Sequence, residues 1–266
     1  MNSPRPDSLR GQAMVEFAIV AMVLLLLIFG ALQFALIYHA KITLNYAAFE
    51  TARAGAVNNA RMWAMELAFA RALAPLYTTP YVTESGGSCS SNFELELSRE
   101  TTPDFQLDNV RCARQRVRDM LTAGLVRLTL VNPSESSFLD HGYDSAGTVV
   151  IPNDNLMYRS AEIKGASAQS VQDANLIKVH VGLCYELIVP LVDRLIARMI
   201  ATAPNALQPE NFGPPRAGSF AEACVAAREA DGTPRRGIPI YAQGIMRMQS
   251  DPILDSFCAG QCSDGA

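Results

Sequence analysis

The chain has 266 residues, 49% of them hydrophobic and 18% charged, a composition that allows one large or two small domains and argues against disorder. Its 22 basic and 26 acidic residues give a formal charge of −4, which excludes a general nucleic-acid binder because phosphate neutralisation needs a dense basic surface. The mean hydropathy of +0.11 is slightly positive, and its excess is concentrated in one segment.

That segment lies close to the N-terminus. Residues 17–32 read FAIVAMVLLLLIFGAL, and Gln33 is the one strongly polar residue before Tyr38 ends the stretch. A helix of 22 residues is about 33 Å long, enough to cross a hydrocarbon core of about 30 Å. Core helices rarely stay apolar on all sides for this length, and no small-x-small cleavage site of a secretory signal follows. We therefore predict a membrane helix over residues 12–38.

One carboxylate stands at the start of the apolar stretch. Glu16 directly precedes Phe17, and a charge at mid-bilayer is unfavourable by about 2.5–3.5 kcal/mol, less near the interface. Glu16 is either solvated at headgroup level or paired with a cation. Cleavage after Gly11 would provide that cation, because the new amine of Gln12 would lie four residues before Glu16 and could also meet the Glu of a neighbouring helix.

The helix is expected to continue beyond the membrane. Residues 39–76 hold one proline and are rich in Ala, Met and Leu, so they predict an amphipathic helical extension with Ile42, Tyr46 and Phe49 on its apolar side. A break within residues 55–59 stays open. Small residues in the first half favour close packing against a partner helix: Ala47, Ala48, Ala52 and Gly55.

Residues 77–266 predict a separate domain that mixes helices, strands and loops. Residues 84–92 are typical of a loop, and residues 109–121 favour a short helix whose arginines form a solvated face or an anion site. Residues 187–200 are apolar but charged enough to exclude a second membrane span, which favours an amphipathic helix. The prolines and glycines of residues 202–219 predict a long loop or insertion.

Alternation of apolar residues predicts three strands, at residues 125–131, 176–185 and 237–248. In the second strand His180 falls between the apolar positions Val179 and Val181, where an outward-facing side chain is expected. The predicted fold class is α+β, a long N-terminal transmembrane and amphipathic helix followed by a small antiparallel-sheet domain.

All six cysteines follow the apolar stretch: Cys89, Cys112, Cys184, Cys224, Cys258 and Cys262. Their even number in a region rich in Gly, Pro and Ser favours disulfides in an oxidising compartment. Zinc binding is less favoured, because only Cys258 and Cys262 are close together. Fifteen pairings of six cysteines stay open. Since flanking charges do not decide orientation, the cysteines place the C-terminal part outside the cytoplasm and the N-terminus inside.

The N-terminal motif resembles a type IV prepilin processing site. Gly11 is followed by four residues, then by Glu16 and Phe17, and a short Arg-containing leader precedes it. The opening RGQAMVEFAIV is similar to that of the TadE-like family of minor pseudopilins from the tight adherence (Tad, or Flp) pilus system. A later helix pattern, LNYAAFETARA at residues 44–54, is similar as well. The chain departs at Met22, because many relatives carry a proline early in this helix.

The resemblance implies a pilin-like protein with residues 1–11 as a leader that a prepilin peptidase removes. Glu16 would then neutralise the new N-terminus of an adjacent subunit, with Phe17 beside it. The expected partners are that peptidase, other pilins and pseudopilins, inner-membrane assembly proteins and membrane lipid, without nucleic acid. The resemblance also implies the bacterial inner membrane, a single pass, a periplasmic C-terminal domain and incorporation into a pilus.

No catalytic residue, metal ligand or cofactor is expected. The histidines His39, His141 and His180 show no recognised catalytic spacing, and the chain has no P-loop, G-x-S-x-G or dinucleotide motif. Residues 140–144 do not meet the calcium-loop pattern. Two alternatives to a pseudopilin stay open: an uncleaved membrane-anchored assembly scaffold and, less favoured, an anchored periplasmic enzyme or ligand-binding module.

Overall fold

The computed structural model describes residues 8–78, 82–85, 88–91, 103–202, 220–227 and 236–254. Within these ranges only the backbone is considered for residues 8–13, 82–91, 103–108 and 201. The elements in chain order are α1 (Ser8–Val57), α2 (Met62–Tyr77), β1 (Val82–Ser85), β2 (Ser88–Ser91), α3 (Pro103–Thr122), β3 (Val126–Asn132), α4 (Glu135–His141), β4 (Tyr143–Ser145), β5 (Thr148–Val150), α5 (Val171–Ala174), β6 (Leu176–Glu186), α6 (Val192–Thr202), α7 (Phe220–Ala226) and β7 (Gly237–Arg247).

Helix α1 is 50 residues long, which corresponds to about 75 Å. It ends at a tight turn, in which Asn59 and Ala60 both have a φ of 58°. The turn is held by the C-terminal segment, because the backbone N–H of Asn59 donates to Ser250 Oγ (2.9 Å) and its side-chain amide donates to the carbonyl of Asp251 (2.8 Å). The predicted extension is therefore divided into the end of α1 and a second helix, α2, which packs against α1.

The central sheet is antiparallel, with the strand order β3-β6-β7. Val181 on β6 stands opposite Leu128 on β3 and Ala242 on β7. These are the three strands that apolar alternation predicts. The hairpins β1-β2 and β4-β5 are separate two-stranded sheets. Together with the helices they confirm the α+β class.

The main core lies between the central sheet and the first two helices. One face of β6 is fully buried, and it consists of the predicted alternating set Ile177, Val179, Val181 and Leu183. Facing it are buried residues of α1 and α2, among them Leu44, Met65, Phe69 and Leu73. The alternating apolar residues of the strand thus pack against the apolar sides of the two helices in a single layer.

Helix α7 covers part of the opposite sheet face. Cys184 on β6 forms a disulfide with Cys224 on α7, with Cα atoms 5.4 Å apart. Phe220 packs edge-on against Tyr241 of β7, with ring centroids 5.8 Å apart. Cys112 is disulfide-bonded as well, and its partner side chain lies outside the described part of the chain. A disulfide therefore links the sheet to the short helix α7.

His180 differs from its prediction. It does lie on the face of β6 opposite the main core, but its side chain is buried rather than outward-facing. Its Nε2 lies 3.2 Å from Oε1 of Gln243 on β7. Burial, with a smaller effect of Lys178, lowers the pKa of His180, and the hydrogen bond with Gln243 opposes this shift.

Other boundaries differ from the predicted ones for local reasons. The predicted loop at residues 84–92 contains the end of β1 and all of β2, which pair as antiparallel strands. Helix α3 begins earlier than predicted, at Pro103, a residue suited to the first helical turn. Helix α6 confirms the amphipathic helix predicted at residues 187–200. The leader residues 1–7 and residues 203–219 lie outside the described residues.

Candidate assembly surface on the long helix

The first half of α1 projects beyond the packed domain. Within the described residues, α1 is the one helix long and apolar enough to cross a membrane, and none of its most apolar stretch, which lies after Met14, is buried. The alternative of a buried core helix is therefore wrong. The arrangement is suited to contact with lipid or with apolar helices of other subunits.

The predicted processing residues lie in the first turns of this helix. Gly11 and Gln12 lie in α1, and only their backbone is described. Glu16 is exposed, and it takes part in an interaction with another group of the chain. Phe17 is exposed beside it. A carboxylate and a large apolar ring are thus presented together at the start of the apolar stretch.

The small residues of α1 pack within the chain. Ala47, Ala48 and Ala52 are fully buried, and β7 passes so close that a Cβ on Gly244 would collide with the carbonyl oxygen of Ala48. A Cβ on Gly55 would likewise collide with Ile177 of β6 and come within 2.8 Å of Met65 Sδ on α2. The close approach that these residues permit is made to the chain's own sheet and α2 rather than to a partner helix.

The other side of the same helix carries large exposed side chains. Tyr38, Ile42, Tyr46 and Phe49 recur at three- and four-residue steps and are between 45% and 68% exposed. We call these four residues the outer stripe. The sequence predicts Ile42, Tyr46 and Phe49 on one apolar side of the helix, and the structure leaves that side exposed while the alanines pack on the domain. The outer stripe continues the exposed apolar surface of α1 past the predicted membrane boundary.

Two polar residues of α1 attach the helix to the domain. The Lys41 ammonium donates a hydrogen bond to the carbonyl of Tyr241 on β7, and partial burial lowers the pKa of Lys41. Gln33 is completely buried, and its Oε1 accepts a hydrogen bond of 2.9 Å from the backbone N–H of Val189. The sequence identifies Gln33 only as an interruption of the apolar stretch, whereas the structure gives it a partner 156 residues away.

The segment that carries these features matches a known protein family. Residues 11–53 match the family model described as TadE-like protein. The predicted resemblance is confirmed over this segment, which starts at Gly11 and includes Glu16 and the whole outer stripe. No curated protein and no solved structure matches the chain.

The structure also shows how the histidines and the acidic and cysteine side chains of the described residues are placed. No group of three or more His, Cys, Asp or Glu side chains among them is placed to hold a metal ion. His141 Nε2 hydrogen-bonds to the carbonyl oxygen of Gln169 (2.9 Å), and His180 bonds to Gln243, so both rings have structural partners. His39 is exposed on α1. The three histidines therefore stand on three different elements: α1, α4 and β6.

Proposed function

We propose that this chain is a minor pseudopilin that acts in the assembly or initiation of a Tad-type pilus, after removal of residues 1–11 by a prepilin peptidase. The match of residues 11–53 to the TadE-like family carries this proposal. The match starts at Gly11, the residue after which cleavage is proposed, and it covers the surface through which a subunit would meet its neighbours.

The continuity of α1 supports a retained helix over a removed signal sequence. The apolar stretch that begins at Phe17 and the buried residues Leu44 and Ala48 belong to one unbroken helix. Removal of the apolar stretch would discard Gln33 and its hydrogen bond to the backbone of Val189. Cleavage after Gly11 keeps both.

The charge and apolar surface of α1 support assembly by side-to-side helix contact. Glu16 is the carboxylate that would neutralise the new amine of Gln12 on an adjacent subunit, and Phe17 would pack next to it. The exposed side of α1 extends from the membrane stretch through the outer stripe. Transfer of aromatic side chains from water into an interface is strongly favourable. Tyr38, Tyr46 and Phe49 are therefore suited to a subunit interface.

The proposed location is the inner membrane, with the domain in the periplasm. The Cys184–Cys224 disulfide supports this orientation, since disulfides persist in oxidising compartments. The short N-terminal segment would then face the cytoplasm, where the proposed partners include the prepilin peptidase and inner-membrane assembly proteins.

The outer stripe can be tested with Tyr46→Lys in cells that lack the wild-type chain. We expect the variant to accumulate at the wild-type level with its Cys184–Cys224 bond intact, because Tyr46 is exposed, but to support few or no pili by electron microscopy. Leu139→Lys is the matched control, since Leu139 is an exposed apolar residue on α4, away from the matched segment. Equal piliation by both variants would refute the role of the outer stripe.

The carboxylate is tested separately with Glu16→Leu. We expect this variant to be processed at Gly11 but to fail in assembly, because no carboxylate would neutralise the amine of the neighbouring subunit. Normal assembly of a processed Glu16→Leu chain would remove the electrostatic role and leave the processing proposal intact.

A further inference from the structure

Helix α6 has an apolar face that the domain leaves uncovered. Its inner side packs on the core through Val192, Ile196 and Ile200. On the outer side, Leu195 and Met199 of α6 and two residues of the segment just before the helix, Ile188 and Leu191, are all between 57% and 66% exposed. We call these four residues the α6 face. Four large aliphatic side chains exposed within residues 188–199 are unfavourable in water, so a partner of matching chemistry is expected.

The position of the α6 face along α1 identifies that partner. The hydrogen bond between Val189 N–H and Gln33 Oε1 fixes the start of this segment at the level of Gln33. Gln33 lies 16 residues after Phe17, or about 24 Å along the helix, whereas a hydrocarbon core is about 30 Å thick. If the core begins at Phe17, the α6 face therefore lies just inside its outer boundary.

The charges of α6 fit the same location. Arg194 and Arg198 are exposed, and each stands one position before a member of the α6 face, Leu195 or Met199. The acidic residue of the helix, Asp193, is turned inwards and forms an ion pair with Arg236. Helices that lie in the surface of an anionic membrane typically have an apolar side flanked by basic residues. Helix α6 has this arrangement, and its acidic residue points away from the exposed side.

We propose that α6 lies in the periplasmic surface of the bilayer, with the α6 face among the outer ends of the lipid chains and Arg194 and Arg198 at the phosphates of anionic lipid headgroups. This inference rests on the proposed membrane anchoring by α1. The domain then has two membrane contacts, a spanning helix and an interfacial helix, which together fix how the outer stripe is oriented before assembly.

Tryptophan quenching in the full-length protein tests the depth of α6. Trp63 is the only tryptophan, so a Trp63→Phe background allows single probes at Leu195→Trp, Leu25→Trp in the membrane stretch, and Leu139→Trp on α4. Each variant is reconstituted into phosphatidylethanolamine–phosphatidylglycerol vesicles with plain or brominated acyl chains. An intact Cys184–Cys224 bond, verified by peptide mass, shows that each variant is folded.

The expected result is quenching of the probes at positions 25 and 195 that exceeds that at position 139 at least about twofold, with blue-shifted emission at 195. Quenching at position 25 but not at 195 would overturn the interfacial position while leaving the anchor in place. Blue-shifted but unquenched emission at 195 would show that protein, not lipid, covers the α6 face. Absence of quenching at position 25 would refute the anchor itself and this inference with it.

Discussion

Gly244 shows at the residue scale how closely the long helix and the sheet approach each other. Its backbone lies against the Ala48 carbonyl, and a Cβ placed on it would also come within 3.1 Å of Ala52 Cβ. Both alanines are fully buried, so neither can move aside without disturbing the main core. The lack of a side chain at Gly244 is thus what allows β7 to pack on α1.

We predict that Gly244→Ala lowers the free energy of unfolding by about 1–3 kcal/mol or more, because the added methyl group collides with the backbone of α1. Denaturant titration of the detergent-solubilised full chain measures this change. Gly165→Ala is the matched control, since nothing lies within 4 Å of a Cβ there, and it should change stability by no more than about 0.5 kcal/mol. Equal stability of both variants would contradict the close contact.

His180 should make the stability of the domain pH-dependent. Burial lowers the pKa of His180 below its ordinary value of 6.5, so the unfolded chain binds a proton at a higher pH than the folded one. The stabilisation is fully present above pH 6.5 and decreases as the pH falls towards the lowered pKa. We expect His180→Gln to lack this component.

Unfolding titrations at several pH values between pH 5 and 8 measure the difference between the wild type and His180→Gln. This comparison cancels the contribution of Glu66, whose pKa is raised by burial and which is present in both proteins. A constant difference over this range would show that His180 is not buried as a neutral ring.

At the scale of elements, the disulfide and α7 form one unit. The bond connects Cys184 and Cys224 across 40 residues of sequence, and the ring of Phe220 on α7 fills the space above Gly182. We predict that replacing both cysteines by alanine lowers the free energy of unfolding by about 2–4 kcal/mol, because the loop between them gains conformational freedom when the chain unfolds.

Denaturant titration of the double variant checks this prediction, and non-reducing peptide mapping of the wild type checks the pairing itself. Gly165→Ala serves again as the control for a substitution without contacts. A wild-type map that joins Cys184 to another cysteine would contradict the pairing, and an unchanged unfolding midpoint in the double variant would contradict its effect on stability.

The elements differ in how well the sequence alone predicts them. The strand β6 was predictable because Ile177 and Val179 alternate with less apolar residues, and only one face of the strand meets the main core. The two sides of α1 were not predictable in the same way. The sequence predicts both an apolar side with Tyr46 and small residues such as Ala48 that permit close packing, but it does not tell which of the two the domain covers; the close approach of β7 leaves room only for Ala48 and its small neighbours. That approach depends on contacts about 200 residues apart in sequence, such as the one between Lys41 and Tyr241.

The residues of the candidate site also differ in whether the sequence predicts them. Gly11 and Glu16 were identified from the sequence, because their spacing and their place before the apolar stretch are local features. The exposure of the outer stripe, the partner of Gln33 and the α6 face cannot be predicted in this way, since each depends on how the domain sits against α1. Amphipathic periodicity within residues 187–200 was the one sequence signal for α6, and it does not tell which apolar residues the domain covers.

At the scale of the whole molecule, one continuous helix connects three proposed environments. Its first turns carry the proposed processing site, its exposed apolar stretch would cross the membrane, and its last turns belong to the core of the domain. In the described residues the membrane stretch is therefore joined to the domain by helix, without a turn or loop between them. This arrangement suits a subunit that is withdrawn from the membrane into a fibre.

The mass of the N-terminus tests the central claim most directly. Co-expression of the full chain with an active prepilin peptidase should yield a protein that starts at Gln12, while the chain expressed alone should keep the leader. Gly11→Leu is the control that should prevent cleavage without changing the domain. An intact leader in the wild type, under conditions in which the peptidase cleaves a known prepilin, would contradict the account and favour an uncleaved anchored scaffold.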